Sequence, residues 1–387
     1  MIRGFLPDLD PIETILTQRP QYAALEATLE NLAVTLPDLV EDRRIREELV
    51  CQLRQASGNY DEAWASTTDK VRWGSGGDPW GERVMLLYSY FASAYVYARH
   101  ETPAARIPKE IAVPLVRFSQ RTGRPPILSY ASYCLNNWRR LDPNKPVELG
   151  NIQLLQNFCA PAVGKQDEDW FILVHVDIEQ KAVEGLAAID NASLYGMKEE
   201  LAVYNTFVRL IDSLRAMNRT LARMPEECSP DNYYKWVRPY IFGFKNVVYE
   251  SCFDDQPQTF RGETGAQSSI IPAMILALGI DHKDSMLTKH LEEMRDYMPP
   301  QHRAFLRNLE ARFTKNTLRD AVARFPGCKA AYNEAVQQVA DFRSLHFEYA
   351  MNYIAKKVQN PEGTGGTPYL PWLQQLKEET LAHLLPG

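Results

Sequence analysis

Apolar residues recur at three- and four-residue spacing along most of this chain of 387 residues. This spacing is the period of an amphipathic α-helix and differs from the two-residue alternation of a half-buried strand. Residues 21–56 follow it with a break near Pro37, and residues 83–98, RVMLLYSYFASAYVYA, are apolar on nearly all sides, as in a buried helix. The pattern therefore predicts an all-α fold.

Length and local composition divide the chain into two parts. A chain of this length exceeds what one small hydrophobic core usually serves. The stretch RTGRPPILSYASYCLNNWRRLDPNKP begins at Arg121, runs through an aromatic helix and ends in an Asp-Pro-Asn turn. We therefore predict a small N-terminal helical domain over residues 1–148, packed on a larger helical domain over residues 149–387.

The bulk composition excludes several classes of function. A net charge of −6 opposes binding to nucleic acids or anionic membranes. No apolar run approaches the roughly 20 residues that span a bilayer, and the first residues do not resemble a signal peptide. The cysteines form no CxxC pair, which favours free thiols in a reducing compartment. We expect a cytoplasmic protein that binds neither nucleic acid nor membrane.

The histidines fall into two groups. Five lie in polar surroundings and are expected at the surface: His100, His282, His290, His302 and His383. The other two, His175 and His346, lie within apolar helical stripes. A histidine in such a stripe is either a core residue that bonds a backbone carbonyl or a functional group, and the spacing alone does not decide between them.

His346 belongs to AVQQVADFRSLHFEYAMNYIAKK, where its spacing places the imidazole on the apolar face of a helix. A neutral imidazole on a rigid helix is also a suitable ligand for haem iron. On that interpretation Arg343, one turn earlier, would meet a haem propionate.

The segment WFILVHVDI at 170–178 has the composition of a strand, but no convincing partner strand is evident, so we predict a helix. On a helix Phe171 and His175 share one face. Asp177 and Glu179 are expected to face away, toward solvent or a partner.

Two segments contain small residues that permit close approach of a ligand. EGTGGTP (362–368) is either a flexible linker or part of a mobile active-site loop near 358–368, in which Thr364 bonds a ligand. RGETGAQSSIIPAMILALGI (261–280) is either a tight helix N-terminus or a floor on which a flat ligand lies.

Taken together, these segments resemble the indoleamine 2,3-dioxygenase family, haem enzymes that open the indole ring of tryptophan. The resemblance rests on PPILSYASYCLNNWRRLDPNKP, FRGETGAQSS, MRDYMPPQHRAFL, FRSLHFEYAMNYI and GTGGT, in the family's order, from Pro125 to Thr367. The motifs MRDYMPPQHRAFL and GTGGT are the most specific. The first 120 residues add only that they are helical.

The resemblance implies that haem b lies between helices of the large domain, with His346 as the iron ligand. It implies further cofactor contacts from Arg343, Ala266 and Cys134. It implies substrate contacts from Tyr130, Tyr133, Phe171, Tyr233, Arg238, Thr264, Gly265 and Thr364. A guanidinium at Arg238 suits a substrate carboxylate, because two parallel N–H donors match its two oxygens.

Three positions depart from the family pattern. His175 stands at the family's distal serine; the related tryptophan 2,3-dioxygenases use a histidine there that accepts the indole N–H, so we assign His175 a catalytic role. Tyr233 replaces a more usual phenylalanine. Ile275 stands where animal members carry an aspartate associated with Arg343, so the support of the proximal side of the haem is expected to differ.

The expected function is that of an iron- and haem-dependent dioxygenase of tryptophan catabolism, in the kynurenine pathway. It would use O2 to cleave the indole C2–C3 bond of L-tryptophan, or a close derivative, to N-formylkynurenine, and would require an electron donor for haem reduction. Two alternatives stay open: a haem-dependent monooxygenase of another indole, and a non-catalytic haem gas or redox sensor. The sequence leaves monomer and dimer equally open.

Overall fold

The computed structural model describes residues 3–15, 23–56, 78–314, 316–357 and 369–386. Its longer α-helices are α1 (Ala23–Glu41), α2 (Ile45–Ala56), α3 (Pro79–Val96), α4 (Lys109–Thr122), α5 (Lys165–Lys181), α6 (Val183–Tyr195), α7 (Glu200–Leu221), α8 (Ile270–Leu278), α9 (Met286–Arg295), α10 (Pro300–Phe313), α11 (Leu318–Arg324), α12 (Lys329–Tyr353) and α13 (Tyr369–Leu381). Short helical turns lie at Met224–Glu227 and Pro230–Asn232. The prediction of an all-α fold is confirmed.

Short strands, which the sequence analysis did not predict, supplement the helices. They are β1 (Arg106–Ile107), β2 (Trp138–Arg140), β3 (Ile152–Leu154), β4 (Phe244–Tyr249) and β5 (Pro257–Phe260). One small sheet has the order β1-β4-β5, and β2 pairs with β3 in an antiparallel ladder. Most of these strands contain too few residues to show a two-residue period, and β4, with six, has an irregular register between Phe244 and Val247 that interrupts the alternation. The predicted domain boundary at residue 148 falls between β2 and β3 and stays a prediction.

Helix α1 corrects the predicted break near Pro37. The helix runs through Pro37 to Glu41, and the chain turns only afterwards, at Arg43, whose φ is 60°. A proline inside a helix costs about 3 kcal/mol, since it removes one hydrogen bond and crowds the preceding turn. Leu39 and Val40 lie buried in the turn after Pro37, and their burial offsets that cost.

Helix α3 is the buried helix that the sequence predicted. Asp78 caps its N-terminus by accepting a hydrogen bond of 2.9 Å from the amide of Gly81, and Pro79 occupies its first turn. Nearly every residue from Gly81 to Val96 is buried. The segment at 170–178 is helical, within α5, as predicted.

The helices that carry the candidate site pack against one another. Helix α12, with His346, packs on α7 and α13, and α5, with His175, packs on α7. Helix α5 also contacts two π-helical turns, Ala131–Leu135 and Tyr233–Val237. The first lies where an aromatic α-helix was predicted. Wide turns of this kind occur often at functional sites, where they redirect side chains.

Two further expectations can be compared with the described residues. All six cysteines are free, and four of them are buried: Cys134, Cys159, Cys228 and Cys328. Within the described ranges, no helix is long and apolar enough to cross a membrane.

Candidate active site

One face of α5 carries three side chains at four-residue spacing: Phe171, His175 and Glu179. The rings of Phe171 and His175 lie 4.7 Å apart, measured between centroids. Both rings are half-buried, whereas Glu179 is fully buried. Because residues four apart stack along one side of a helix, these groups form a continuous wall.

Aromatic side chains from two other segments meet this wall. Tyr233 lies 4.7 Å from Phe171, Tyr133 lies 6.4 Å from Phe171, and Tyr130 meets the His175 ring edge-on at 6.0 Å. We call Phe171, His175, Tyr130, Tyr133 and Tyr233 the aromatic cluster. The structure thus brings together five site residues that the resemblance implied, from positions more than 100 residues apart in the chain.

The hydrogen bonding of His175 defines its tautomer. Its Nδ1 lies 2.7 Å from the carbonyl oxygen of Phe171, and because a carbonyl oxygen only accepts, Nδ1 carries the proton. Burial lowers the pKa of His175, so the ring is neutral near pH 7. Nε2 therefore presents a lone pair, and among the described residues it has no hydrogen-bond partner. The ring is an acceptor prepared for an N–H donor.

The tyrosines of the aromatic cluster differ in their partners. The hydroxyl of Tyr133 is buried and makes no hydrogen bond within the described residues. The hydroxyl of Tyr130 donates to Oε1 of Glu179 over 2.9 Å. A buried hydroxyl without a partner is costly, so the position of Tyr133 suits a ligand that supplies one.

The prediction that Glu179 faces away from the site was wrong, whereas Asp177 does face away from it, toward a partner within the protein. Glu179 is fully buried, and its Oε1 accepts hydrogen bonds from Tyr130 and from the hydroxyl of Ser268 at 2.8 Å. Asp177, also buried, accepts from Thr220 at 2.7 Å on the packed side of α5. Four-residue spacing from His175 is the signal that could have placed Glu179 on the site face.

The buried carboxyl of Glu179 has an altered acidity. Burial raises its pKa to about 7, although the hydroxyls of Ser268 and Tyr130 act in the opposite direction. Burial likewise raises the pKa of Glu263 to about 8. Both charges in turn raise the pKa of the buried thiol of Cys134, after the larger effect of its own burial. Cys134 is thus an uncharged, inert group at this site.

The segment 262–268 forms a second wall. Gln267 fixes it, since its Oε1 accepts from the amide of Tyr130 at 2.9 Å and its Nε2 donates to the carbonyl of Gly262 at 2.8 Å. Thr264 caps the following turn by accepting from the amide of Ala266 at 3.4 Å. Gly265 is exposed, and a Cβ atom placed there would meet nothing within 4 Å. The wall therefore presents small residues and open space.

Arg238 follows the π-helical turn that carries Tyr233. Its side chain is buried, with the guanidinium carbon 4.4 Å from the centroid of Phe242 and 5.7 Å from that of Tyr234. Burial raises the pKa of Tyr233, and the charge of Arg238 acts against that rise. A positive charge thus lies close to one end of the aromatic cluster.

His346 lies on α12 with an unusual combination of properties. The side chain is exposed, contrary to the buried face that the spacing predicted. Protein atoms nevertheless surround the ring closely, and this burial, with a smaller effect from His175, lowers its pKa to about 4. The imidazole is therefore neutral near pH 7 and accessible.

Arg343 is buried one turn before His346, and its terminal nitrogens are engaged within the protein. Nη1 donates to the carbonyl of Leu376, at 2.6 Å, and to the hydroxyl of Thr380; Nη2 lies 3.0 Å from Nε2 of His282. The predicted contact with a haem propionate stays a prediction. Thr364 and the segment 358–368 lie outside the described residues.

Three histidines expected at the surface are enclosed. One is His290, whose side chain is 10% exposed and whose ring lies 5.3 Å from that of Trp372. The side chain of His282 is 7% exposed, and His302 is buried against the ring of Phe5 at 4.7 Å. Polar neighbours in sequence did not reveal these tertiary partners.

The residues around His346 fit a haem. A neutral imidazole on an accessible helix face is a ligand that haem iron accepts. The space that a Cβ atom at Gly265 would enter, next to Ala266, lets a flat ring approach the backbone. The accepting Nε2 of His175 is available to a substrate.

Comparisons with known proteins show the family of the chain. The sequence profile of the indoleamine 2,3-dioxygenase family matches residues 1–361. Indoleamine 2,3-dioxygenase 2 of Mus musculus is 33% identical, over 74% of this chain and 75% of its own length. Indoleamine 2,3-dioxygenase 1 of Rattus norvegicus is 30% identical, over 92% and 88%. A protein named myoglobin from Haliotis madaka is 29% identical, over 97% and 95%.

Proposed function

Because this chain belongs to the indoleamine 2,3-dioxygenase family of haem-dependent oxidoreductases, we propose that it cleaves the C2–C3 bond of the indole ring of L-tryptophan, or of a close derivative. The co-substrate is O2, and the product from L-tryptophan is N-formylkynurenine. The observation that carries the proposal is an unprotonated His175 Nε2 within the aromatic cluster, together with an Arg238 guanidinium whose charge acts on Tyr233 of that cluster. They match the indole N–H and the carboxylate of tryptophan.

We infer that haem b is held by His346 as the iron ligand. Ala266 and Cys134 border the ring, and Arg343 supplies a positive charge on the side of the ligand helix. When bound, the haem supplies the oxygen activation that side chains lack, and an external electron donor keeps its iron reduced. The chain's own contribution is to exclude water, orient the indole and provide an acceptor for its proton.

The rings of Phe171 and Tyr233 contact each other, with centroids 4.7 Å apart, and together form one aromatic wall for the indole. The Nε2 atom of His175 accepts the indole N–H, and its neutral state also lets it take up a proton. Arg238 pairs with the substrate carboxylate through two parallel N–H donors. Thr264 and Gly265 contribute the wall opposite α5, and Thr364 is proposed to contact the amino-acid end.

The test is a product analysis with labelled oxygen. Haem-loaded, reduced protein is incubated with L-tryptophan under ¹⁸O₂, and the product is analysed by mass spectrometry. Incorporation of two labelled oxygen atoms with loss of indole absorbance is the expected result. A product with one labelled atom would overturn the dioxygenase proposal in favour of a monooxygenase. The departures from the family pattern at His175 and Tyr233 are compatible with that alternative.

A second candidate, reversible oxygen binding without turnover, is favoured by the likeness to the protein named myoglobin. In that case the ferrous protein forms a stable oxygen complex in the presence of tryptophan, and no product appears. Arg238, which would bind a substrate carboxylate, and His175, which would accept the indole N–H, favour an enzymatic function, since an oxygen carrier requires neither group. The same incubation, followed by visible spectroscopy, separates the two functions.

A further inference from the structure

The loop after α8 places His282 between two charged groups from different helices. Its Nδ1 lies 2.8 Å from Oε2 of Glu379 on α13, and its Nε2 lies 3.0 Å from Nη2 of Arg343 on α12. The side chains of His282 and Glu379 are 7% and 12% exposed. We call Arg343, His282 and Glu379 the proximal triad. It spans 97 residues of sequence, and each member comes from a separate segment.

The protonation states within the triad follow from its geometry. Arg343 only donates, so Nε2 of His282 must be an acceptor, and Nδ1–H then donates to the carboxylate of Glu379. Burial, together with the charge of Arg343, lowers the pKa of His282, and the ring is neutral. The hydrogen bonds from Gln375 and His282 outweigh burial and lower the pKa of Glu379. A neutral imidazole thus joins a buried cation to its counter-ion.

Arg343 is the centre of the contacts between α12 and α13. Besides His282 it bonds the carbonyl of Leu376 and the hydroxyl of Thr380, which is fully buried. Burial lowers the pKa of Arg343 to about 10, so it stays charged at neutral pH. A buried charge of this kind is stable only when its donors are satisfied and a counter-charge is near.

A second histidine, His383, lies just after α13 and bonds the same loop. The amide of Asp281 donates to Nε2 of His383 over 3.1 Å, and Nδ1 of His383 lies 2.8 Å from the carbonyl of Glu379. The two loop residues, 281 and 282, therefore both hold α13. The carboxylate whose charge acts on Arg343 is that of Glu379 on α13, while Ile275 on α8 carries no charge.

We propose that His282 is a positioning residue for the proximal side of the site. Its neutral ring bonds both Arg343 and Glu379, and Glu379 thereby serves as the counter-ion of Arg343. In this way it holds α13 on α12 and fixes the turn of α12 that carries His346, one turn beyond Arg343. The part of this inference that concerns His346 rests on the proposed function, whereas the part that concerns α12 and α13 does not.

The test uses the full chain with four substitutions. His282→Leu removes both hydrogen bonds at similar volume. His282→Gln retains one donor and one acceptor, and Glu379→Gln retains an acceptor but removes the counter-charge. Glu378→Gln, at the exposed neighbouring position of α13, is the matched control. If His282→Leu fails to fold, Glu379→Gln carries the comparison alone.

The first measurement is hydrogen exchange of the amides at 376–381 in haem-free protein. We expect His282→Leu to accelerate this exchange about tenfold, with substantial recovery in His282→Gln and no change in Glu378→Gln. Exchange equal to that of the unaltered protein in both His282→Leu and Glu379→Gln would overturn the inference, whatever the protein binds.

The second measurement concerns the haem-loaded protein. We expect haem transfer to an acceptor protein to be about tenfold faster in His282→Leu, as for other residues that orient a metal ligand. In Glu379→Gln we expect a higher midpoint potential of the iron, because the positive charge of Arg343 is no longer balanced; Glu378→Gln should leave it unchanged. If altered exchange at 376–381 is found in a chain that takes up no haem, the proposed function fails while the role of His282 in holding α13 stands. Unchanged haem transfer and potential, with haem bound, would overturn the role at His346.

Discussion

The hydroxyl of Tyr130 donates a hydrogen bond of 2.9 Å to Oε1 of Glu179, and this bond connects the aromatic cluster to a buried acid. Ser268 donates to the same oxygen at 2.8 Å. Three segments that are distant in sequence therefore meet at one carboxyl group, one helical turn beyond His175. The other oxygen, Oε2, is buried without a partner in the described part of the chain. The protonation state of Glu179 consequently affects the stability of the site.

We predict that Glu179→Gln changes how stability depends on pH. The folded-state pKa of Glu179, about 7, lies above the value of 4.5 for an unperturbed glutamate. The folded chain thus favours the protonated acid, and the stability contributed below pH 4.5 is lost as the pH rises to 7, by about 1.4 kcal/mol per pKa unit at most. Glutamine does not titrate. Its Tm relative to that of the unaltered protein should therefore increase steadily from pH 5 to pH 7.5.

The control for this experiment is Glu184→Gln, at an exposed position of the neighbouring helix α6. Its Tm should run parallel to that of the unaltered protein over the whole pH range. Parallel curves for Glu179→Gln as well would show that the carboxyl is ionised throughout in the folded chain. Haem-free protein is used, so that ligand binding does not enter the measurement.

The acceptor role of His175 is tested with a substrate that lacks the indole N–H. In 3-(benzofuran-3-yl)alanine an oxygen replaces that N–H, without added bulk. Because a buried acceptor left without its donor costs about 1–3 kcal/mol, the unaltered protein should prefer L-tryptophan in kcat/KM, and His175→Ala should reduce this preference by about tenfold. Steady-state kinetics with both substrates measure the change.

Leu173→Ala, at a half-buried position of the same helix, is the control, and it should leave the preference unchanged. A preference that is equal in His175→Ala and in the unaltered protein would remove the assignment of Nε2 as the acceptor. A general loss of activity toward both substrates, without a change of their ratio, would instead indicate a role in proton transfer alone.

The assignment of His346 as iron ligand predicts that His346→Ala does not retain stably bound haem. The alanine leaves the accessible helix face without a donor atom, and added imidazole should restore part of the binding. The haem content per chain and the Soret band report both effects. His100→Ala, at an exposed position, should bind haem normally. Full and normally ligated haem in His346→Ala would exclude this ligand.

Local patterns in the sequence were sufficient to predict the helix that carries the site and several of the residues that line it. Helical periodicity predicted α5 and placed Phe171 and His175 on one face, because both relationships depend only on residues four apart. The order of the family motifs pointed to Tyr130, Tyr133 and Tyr233, and the structure brings these residues to the same place. None of these inferences required a partner to be identified across the chain.

The buried charged groups could not be predicted in the same way. Glu179 has its partners 49 and 89 residues away, and His282 meets Arg343 over 61 residues. Acidic residues are almost always exposed unless they are paired, so without knowledge of the pairing a solvent-facing position was the natural expectation. The helix through Pro37 has a similar origin, since only tertiary burial of the following turn offsets the cost of the proline.

The proposed binding of the substrate carboxylate by Arg238 leads to a prediction that separates substrate binding from folding. Removing one partner of a charged hydrogen-bonded pair costs about 1.5–3 kcal/mol, so Arg238→Ala should lower kcat/KM for L-tryptophan by about 10- to 150-fold. Tryptamine has the same indole and amine but no carboxylate, and its much lower kcat/KM should not change. For Arg238→Lys the kcat/KM for L-tryptophan should lie between the values of the unaltered protein and of Arg238→Ala, because lysine keeps the charge but loses the two parallel donors. Equal losses for both substrates would mean that Arg238 supports the fold around Phe242 and Tyr234, which its guanidinium contacts, and does not hold a carboxylate.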